Sequence, residues 1–163
     1  MQIRIKTTGA VIYESEFRKL FPNTSLPSQL SETIINELGG DVVFEGPQAT
    51  GGTVYQYSMS QGVEQIEGKW YTKYILGPVF IDTVVDGTTT TAAEHEAAYK
   101  AQKDAEQAKN VRATRATKLS ETDWRFRSDM NPSQEWKDYC QALRDVPTQA
   151  GFPWTIVWPT QPE

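Results

Sequence analysis

The chain of 163 residues holds one cysteine, Cys140, and one histidine, His95. One of each cannot form an intrachain disulfide or a Cys/His metal cage, and they leave little scope for a nucleophile and its base. Both fall inside helix-like patterns, where a lone cysteine serves as a small core residue and His95 as a solvated helix residue. His95-Glu96-Ala97-Ala98-Tyr99 begins like a zinc-protease helix but lacks the second histidine that the metal requires. There is no Gly-x-Ser-x-Gly elbow, phosphate loop or dinucleotide fingerprint; Gly39-Gly40 and Gly51-Gly52 are too isolated to cradle a phosphate. Carboxylate pairs such as Glu14 with Glu16, or Asp123 with Asp129, could do acid/base work, but such pairs occur in almost any acidic protein. The reading is therefore not an enzyme, with no catalytic residue, metal, cofactor or small-molecule substrate.

Charge and composition narrow the partners. Sixteen basic against twenty-one acidic residues give a net charge of -5, so the whole molecule has no electrostatic reason to seek nucleic acid or an anionic membrane. Lys109, Arg112, Arg115 and Lys118 recur every three residues as a ridge, without the aromatic interleaving a nucleic-acid site needs. That ridge is expected to be a solvated face or to pair with an acidic partner. No run approaches the roughly 18 apolar residues of a membrane span. The alternating start Met1 to Lys6 differs from the continuous apolar stretch of a signal peptide, so a cytosolic origin is expected.

The elements that would position any functional surface follow from periodicity. Ile3 and Ile5 alternate with polar residues, and with Ala10 to Tyr13 they predict a hairpin turning at Thr7-Thr8-Gly9. A short helical turn over Glu16 to Phe21 is stopped by Pro22, and Leu30, Ile34, Ile35 and Leu38 mark a second helix with Ser28 as its N-cap and Gly39-Gly40 as its stop. Strands are expected at 41–44, 53–60, 63–66 and 69–80, with turns at Gln61-Gly62 and Glu67-Gly68. Nine alanines between Ala92 and Ala116 then signal a long helix, capped by Thr91 with Glu94 three residues on and running to about Leu119. Its expected seam is Ala98, Ala101, Ala105, Ala108, Arg112, Arg115 and Leu119. Asn131-Pro132-Ser133-Gln134 reads as a helix start with Asn131 as cap, opening a helix to about Asp145 striped by Trp136, Tyr139, Cys140 and Leu143.

The fold class expected is α+β: a small N-terminal mixed antiparallel-sheet domain with one or two helices (residues 1–85), a polar linker (86–91), and a long helix followed by a C-terminal helical hairpin with an extended Trp/Pro tail (92–163). Four of the five tryptophans, Trp124, Trp136, Trp154 and Trp158, lie in the last forty residues. Large aromatics serve both small cores and interface hot spots, so the pattern alone leaves core and docking surface open.

Arg112-x-x-Arg115, Leu119, Thr122-Asp123-Trp124, Trp136-x-x-Tyr139, Ala142-Leu143-Arg144-Asp145-Val146-Pro147, Gln149-x-Gly151-Phe152-Pro153, Ile156 and Trp158-Pro159 together carry a resemblance. In this order, over about residues 110 to 160, the segment resembles the tail assembly chaperone family of tailed bacteriophages, also called tail fibre assembly proteins. The opening, from Ile3-Arg4-Ile5-Lys6 through Phe17 to Leu30, is similar to the N-terminal region of marine phage proteins that carry this tail. The resemblance implies a small accessory protein that helps the distal tail fibre fold or attach in the host cytoplasm, and that in some relatives stays in the virion. It implies the tail fibre protein as partner, alongside other tail or baseplate proteins. Trp124, Trp136, Tyr139, Arg144, Phe152 and Trp158 are the candidate partner-binding residues. Two alternatives stand beside it: a permanent structural or adaptor protein of the tail or fibre, and a glycan-binding module using aromatics such as Trp70 and Tyr71.

Overall fold

A computed structural model describes residues 1–163, which divide into two compact units, Met1–Val79 and Phe80–Glu163. The architecture is α+β.

In the first unit β1 (Gln2–Ile5) and β2 (Val11–Tyr13) form the opening hairpin, followed by α1 (Glu14–Lys19), α2 (Glu32–Glu37), β3 (Gly40–Phe44), β4 (Tyr57–Ile66) and β5 (Lys69–Gly77). The strands make one sheet in the order β2-β1-β3-β5-β4, antiparallel except where β3 runs parallel to β5. Strand alternation puts Ile3, Ile12 and Val42 on one face, and there Phe17 of α1 and Ile35 of α2 meet Ile3 and Leu30 in the buried core. Arg18 fixes the intervening loop: its guanidinium donates to the Pro27 and Ser28 carbonyls at 2.9 Å each and pairs with Glu14.

Two expectations for this unit need correction. The cap of α2 is Ser31, whose hydroxyl accepts from the Ile34 N–H at 3.3 Å, and not Ser28, because burial of Leu30 keeps the chain out of helix until the next residue. Gln61-Gly62 is a bulge within one continuous strand, since the register shifts between Ser60 and Val63 while Gly62 takes a left-handed φ of 76°. The reversal comes at Glu67-Gly68, both with positive φ, the backbone of a two-residue hairpin turn.

In the second unit Asp86-Gly87 makes a similar turn, at the start of the stretch expected as a polar linker. It joins β6 (Thr83–Val85) to β7 (Thr88–Thr90). Helix α3 spans Ala92–Ser120 and opens with the expected capping box: the Thr91 hydroxyl accepts from the Glu94 N–H, and the Thr91 N–H donates to the Glu94 carboxylate at 2.8 Å. That backbone hydrogen bond holds the Glu94 carboxyl below its ordinary range, so the cap is complete near neutrality and weakens as pH falls through the lowered value. Helix α4 spans Gln134–Asp145. Its cap position is the extended Ser133, so Asn131 and Pro132 remain in the preceding loop instead of opening the helix. A 3₁₀ turn over Val146–Thr148, with Pro147 near its start, ends the helical run.

Gly40 shows how tightly the first core is closed, because a Cβ there would lie 2.7 Å from Ile3 Cγ2, 2.9 Å from Ile35 Cγ2 and 3.0 Å from Phe17 Cε2. Gly40→Ala is expected to destabilise the protein by about 1–3 kcal/mol through overpacking. Urea unfolding followed by circular dichroism measures it, and an unchanged midpoint would contradict this packing.

Candidate functional site

The C-terminal unit is built around a helix with little apolar surface of its own. Only Ala108 and Val111 of α3 are fully buried, so the contact face runs through Val111 and not through Arg112 as the alanine seam suggested. Larger side chains come from elsewhere. Trp136, Tyr139, Cys140 and Leu143, at helical spacing on α4, form the core, with Leu119 and Trp158 packed against them. The Trp136 and Tyr139 rings meet edge to face with centroids 5.8 Å apart, and burial pushes the Tyr139 phenol above its ordinary pKa. Cys140 lies 3.3 Å from the hydroxyl of the buried Thr122, which donates to the Leu119 carbonyl at 2.7 Å. His95 is held instead by the Thr83 hydroxyl at 2.7 Å, half-buried rather than solvated.

The tail folds back on α3. Trp154 Nε1 donates to Asp104 Oδ1 at 2.6 Å, and the Gln149 carboxamide holds Val157 from both sides, donating to its carbonyl at 2.8 Å and accepting from its N–H at 2.9 Å. The basic ridge is used here: the Arg112 guanidinium sits 5.3 Å from the Phe152 ring centroid and the Lys118 ammonium 5.7 Å from that of Trp158. These two cations therefore cover rings of their own chain, which the reading as a solvated or partner-facing ridge did not anticipate. Arg125 does the same between α3 and α4, 3.8 Å from the Trp136 ring and 4.4 Å from that of Trp124.

The six candidate residues thus fall in different places. Trp136 and Tyr139, 5% and 6% exposed, are core. Phe152 and Trp158 are half-buried beneath their cations, and Arg144 points outward from α4. Trp124 is 46% exposed. The 3₁₀ turn Asp123–Phe126 and the loop after it also expose Phe126 and Met130, two residues that no sequence pattern singled out; Met130 lines a cavity of about 210 Å³ together with Arg125, Pro132 and Trp136. Three exposed large apolar residues within seven positions make this stretch the candidate contact surface. A signal for them was present in Trp124-x-Phe126-x-x-x-Met130, but it has no helical or strand period and so no face could be assigned.

Of the carboxylate pairs, Glu14 and Glu16 are engaged in structure. Glu14 pairs with Arg18, and Glu16 accepts from the Tyr13 N–H at 3.2 Å. No group of three or more His, Cys, Asp or Glu side chains is placed to hold a metal ion, and no helix is long and apolar enough to cross a membrane. Trp70, considered for stacking on glycan, carries the Arg4 guanidinium 3.9 Å from its ring centroid, and Tyr71 packs against Phe44.

This helical and aromatic region is where the chain meets known proteins. Residues 108–163 match the family model described as phage tail assembly chaperone protein. The matched segment starts at the buried Ala108 and takes in the second half of α3, the exposed Trp124 patch, α4 and the whole tail. Neither a curated protein nor a solved structure matches the chain.

Trp136→Ala is expected to cost about 3–5 kcal/mol and to shift the thermal midpoint down by many degrees, whereas Arg144→Ala should leave the midpoint within a degree or so. Gln149→Ala should release the tail, seen as faster amide hydrogen exchange at Val157 with α4 still protected. Slow exchange in that variant would show that the indoles alone hold the tail.

Proposed function

We propose that the protein is a non-enzymatic assembly chaperone of a bacteriophage tail, that its client is the tail fibre, and that residues 108–163 are its working part. The observation that carries this reading is the family-model match over that segment. The exposed Trp124, Phe126 and Met130 beside the Arg125 cavity fit the role, because a folding or unassembled β-rich protein exposes apolar surface and unpaired strand edges that such a patch can cover. Trp136, Tyr139, Phe152 and Trp158 then serve by holding the surface in shape, and Trp124 and Arg144 by presenting side chains to the client.

The test is co-expression of the fibre protein with and without this chain, measuring soluble, trimeric fibre. A gain in soluble fibre with the native chain is expected, most of it lost with a Trp124→Ala/Phe126→Ala double variant whose thermal midpoint stays near the native one. Equal fibre yields with and without the chain would argue against the proposal. Retention in the finished particle is a separate question, answered by mass spectrometry of purified virions. A chaperone released after assembly leaves no peptide there, while stoichiometric peptide identifies a resident adaptor.

A further inference from the structure

The helices of the first unit cover only one face of its sheet. The cross-strand registers put Tyr13, Gln2 and Val43 in one row on the opposite face, continuing to Trp70, and put Thr72, Tyr74 and Ser60 farther along the same face. Strand β3 ends at Phe44 while its parallel neighbour β5 continues to Gly77, so beyond that point the two strands part. The chain after Phe44 continues as a loop that stays against β5 and β4: Gly46 lies against the Thr72 carbonyl, the Ala49 N–H donates to Ser58 Oγ at 2.9 Å, and Gly52 lies against Leu76. Beside it is a cavity of about 380 Å³ with buried Val43 and Thr72 and, around them, Met1, Gln2, Tyr13, Glu45, Ser60 and Tyr74. That volume is within the range of small-ligand sites, about 300–1,000 Å³.

The lining is chemically mixed in a particular way. The Tyr74 hydroxyl donates to Glu45 Oε1, which also accepts from Gln48 at 3.4 Å, and the Gln48 side chain bonds the Tyr74 hydroxyl as well, so Glu45 Oε2 is the acceptor left over. The hydrogen bond to Glu45 pushes the Tyr74 phenol above its ordinary pKa. Gln2 offers both an amide donor and an acceptor, Ser60 a hydroxyl, and Tyr13, 60% exposed, an aromatic face unspent on the core. Glu45 is the one charged side chain in the lining, so an anionic ligand would meet a carboxylate and no basic side chain, with Met1 at the edge of the cavity. A simple ammonium could meet the carboxylate and the rings but would leave the Gln2 amide donor and the hydroxyls unmatched. A pyranose ring has hydroxyls that both donate and accept, and a C–H face that packs on an aromatic ring.

We propose that this cavity is a saccharide-binding site of the N-terminal unit, in which Glu45, Gln2 and Ser60 hydrogen-bond sugar hydroxyls and Tyr13 and Tyr74 pack against the ring. The site is distinct from Trp70 and Tyr71, whose rings are taken by Arg4 and Phe44, and it does not depend on the chaperone reading of the other unit.

The experiment is a ¹H–¹⁵N titration of the full chain with the methyl glycosides of glucose, galactose, mannose and N-acetylglucosamine, with choline as the cationic probe. Expected are saturable shifts at Gln2, Glu45, Thr72 and Tyr74 with at least one glycoside, and affinity lowered about tenfold by Glu45→Gln, the size of a lost hydrogen bond to a charged group. Tyr13→Ala should weaken it as well, with the thermal midpoint of both variants close to the native value because the two side chains are exposed. No shift with any glycoside, glycoside shifts unaltered in both variants, or shifts with choline alone would each overturn the proposal.

Discussion

The second half of the chain depends on large rings being brought to a helix that has almost none of its own. Of the 29 residues of α3, only Ala108 and Val111 are fully buried, and an alanine face buries too little area to hold a domain together. The deficit is made up by side chains arriving from two directions. Trp136, Tyr139 and Leu143 come from α4, Trp158 packs against them from a tail without helix or strand, and Trp154 and Ile156 of the same tail lie along α3 beside Val111. A small residue on the helix is what lets such rings approach its backbone closely. The alanine-rich sequence therefore suits the contact once the partner surface is supplied in the same chain.

Holding an irregular tail on a helix needs directional contacts, because no backbone ladder aligns it. Three kinds provide them. The indole N–H of Trp154 reaches a carboxylate on α3, a single carboxamide at Gln149 gives Val157 the pair of hydrogen bonds a neighbouring strand would give, and Arg112 and Lys118 lie over Phe152 and Trp158. Each cation–ring contact is worth on the order of 0.5–1 kcal/mol at a partly exposed site, so none is decisive alone, but together they fix the tail's register along the helix. They also give two of the four basic residues of the ridge a use within the chain, as cations lying over its own rings.

What was legible in the sequence was what repeats. The alternation at Ile3 and Ile5, the Trp136/Tyr139/Cys140/Leu143 stripe and the Thr91–Glu94 capping box each have a period or a fixed spacing, and the structure has them where the pattern puts them. The misplacements fall where one residue type fits two local geometries. Gly62 suits both a turn and a bulge, and only the pairing of β4 with β5 on both sides of it selects the bulge. Serine can cap at position 28 or 31, and the choice is made by Leu30 entering a core formed with Ile3, Phe17 and Ile35. Arg112 fits a heptad position, yet long-range packing centres the buried face on Val111. The exposed group of Trp124, Phe126 and Met130 was least legible, since aromatic size suggests burial and only tertiary structure reveals a ring left outside.

The scale of that exposed group bears on what kind of binding it can support. Trp124 and Phe126 are already about half covered by the chain, and a whole aromatic side chain buries about 150–250 Å². The three side chains together can therefore add only a few hundred Å² on contact, well short of the roughly 800 Å² per partner of a stable protein interface. A surface of this size anchors a partner without sequestering it. In the proposed chaperone role, a client whose own assembly buries a standard interface of roughly 800 Å² per partner would displace a patch of this size without an energy source. A permanent adaptor would need additional surface beyond the patch, which makes the extent of the client contact, more than its existence, the quantity that separates the two roles.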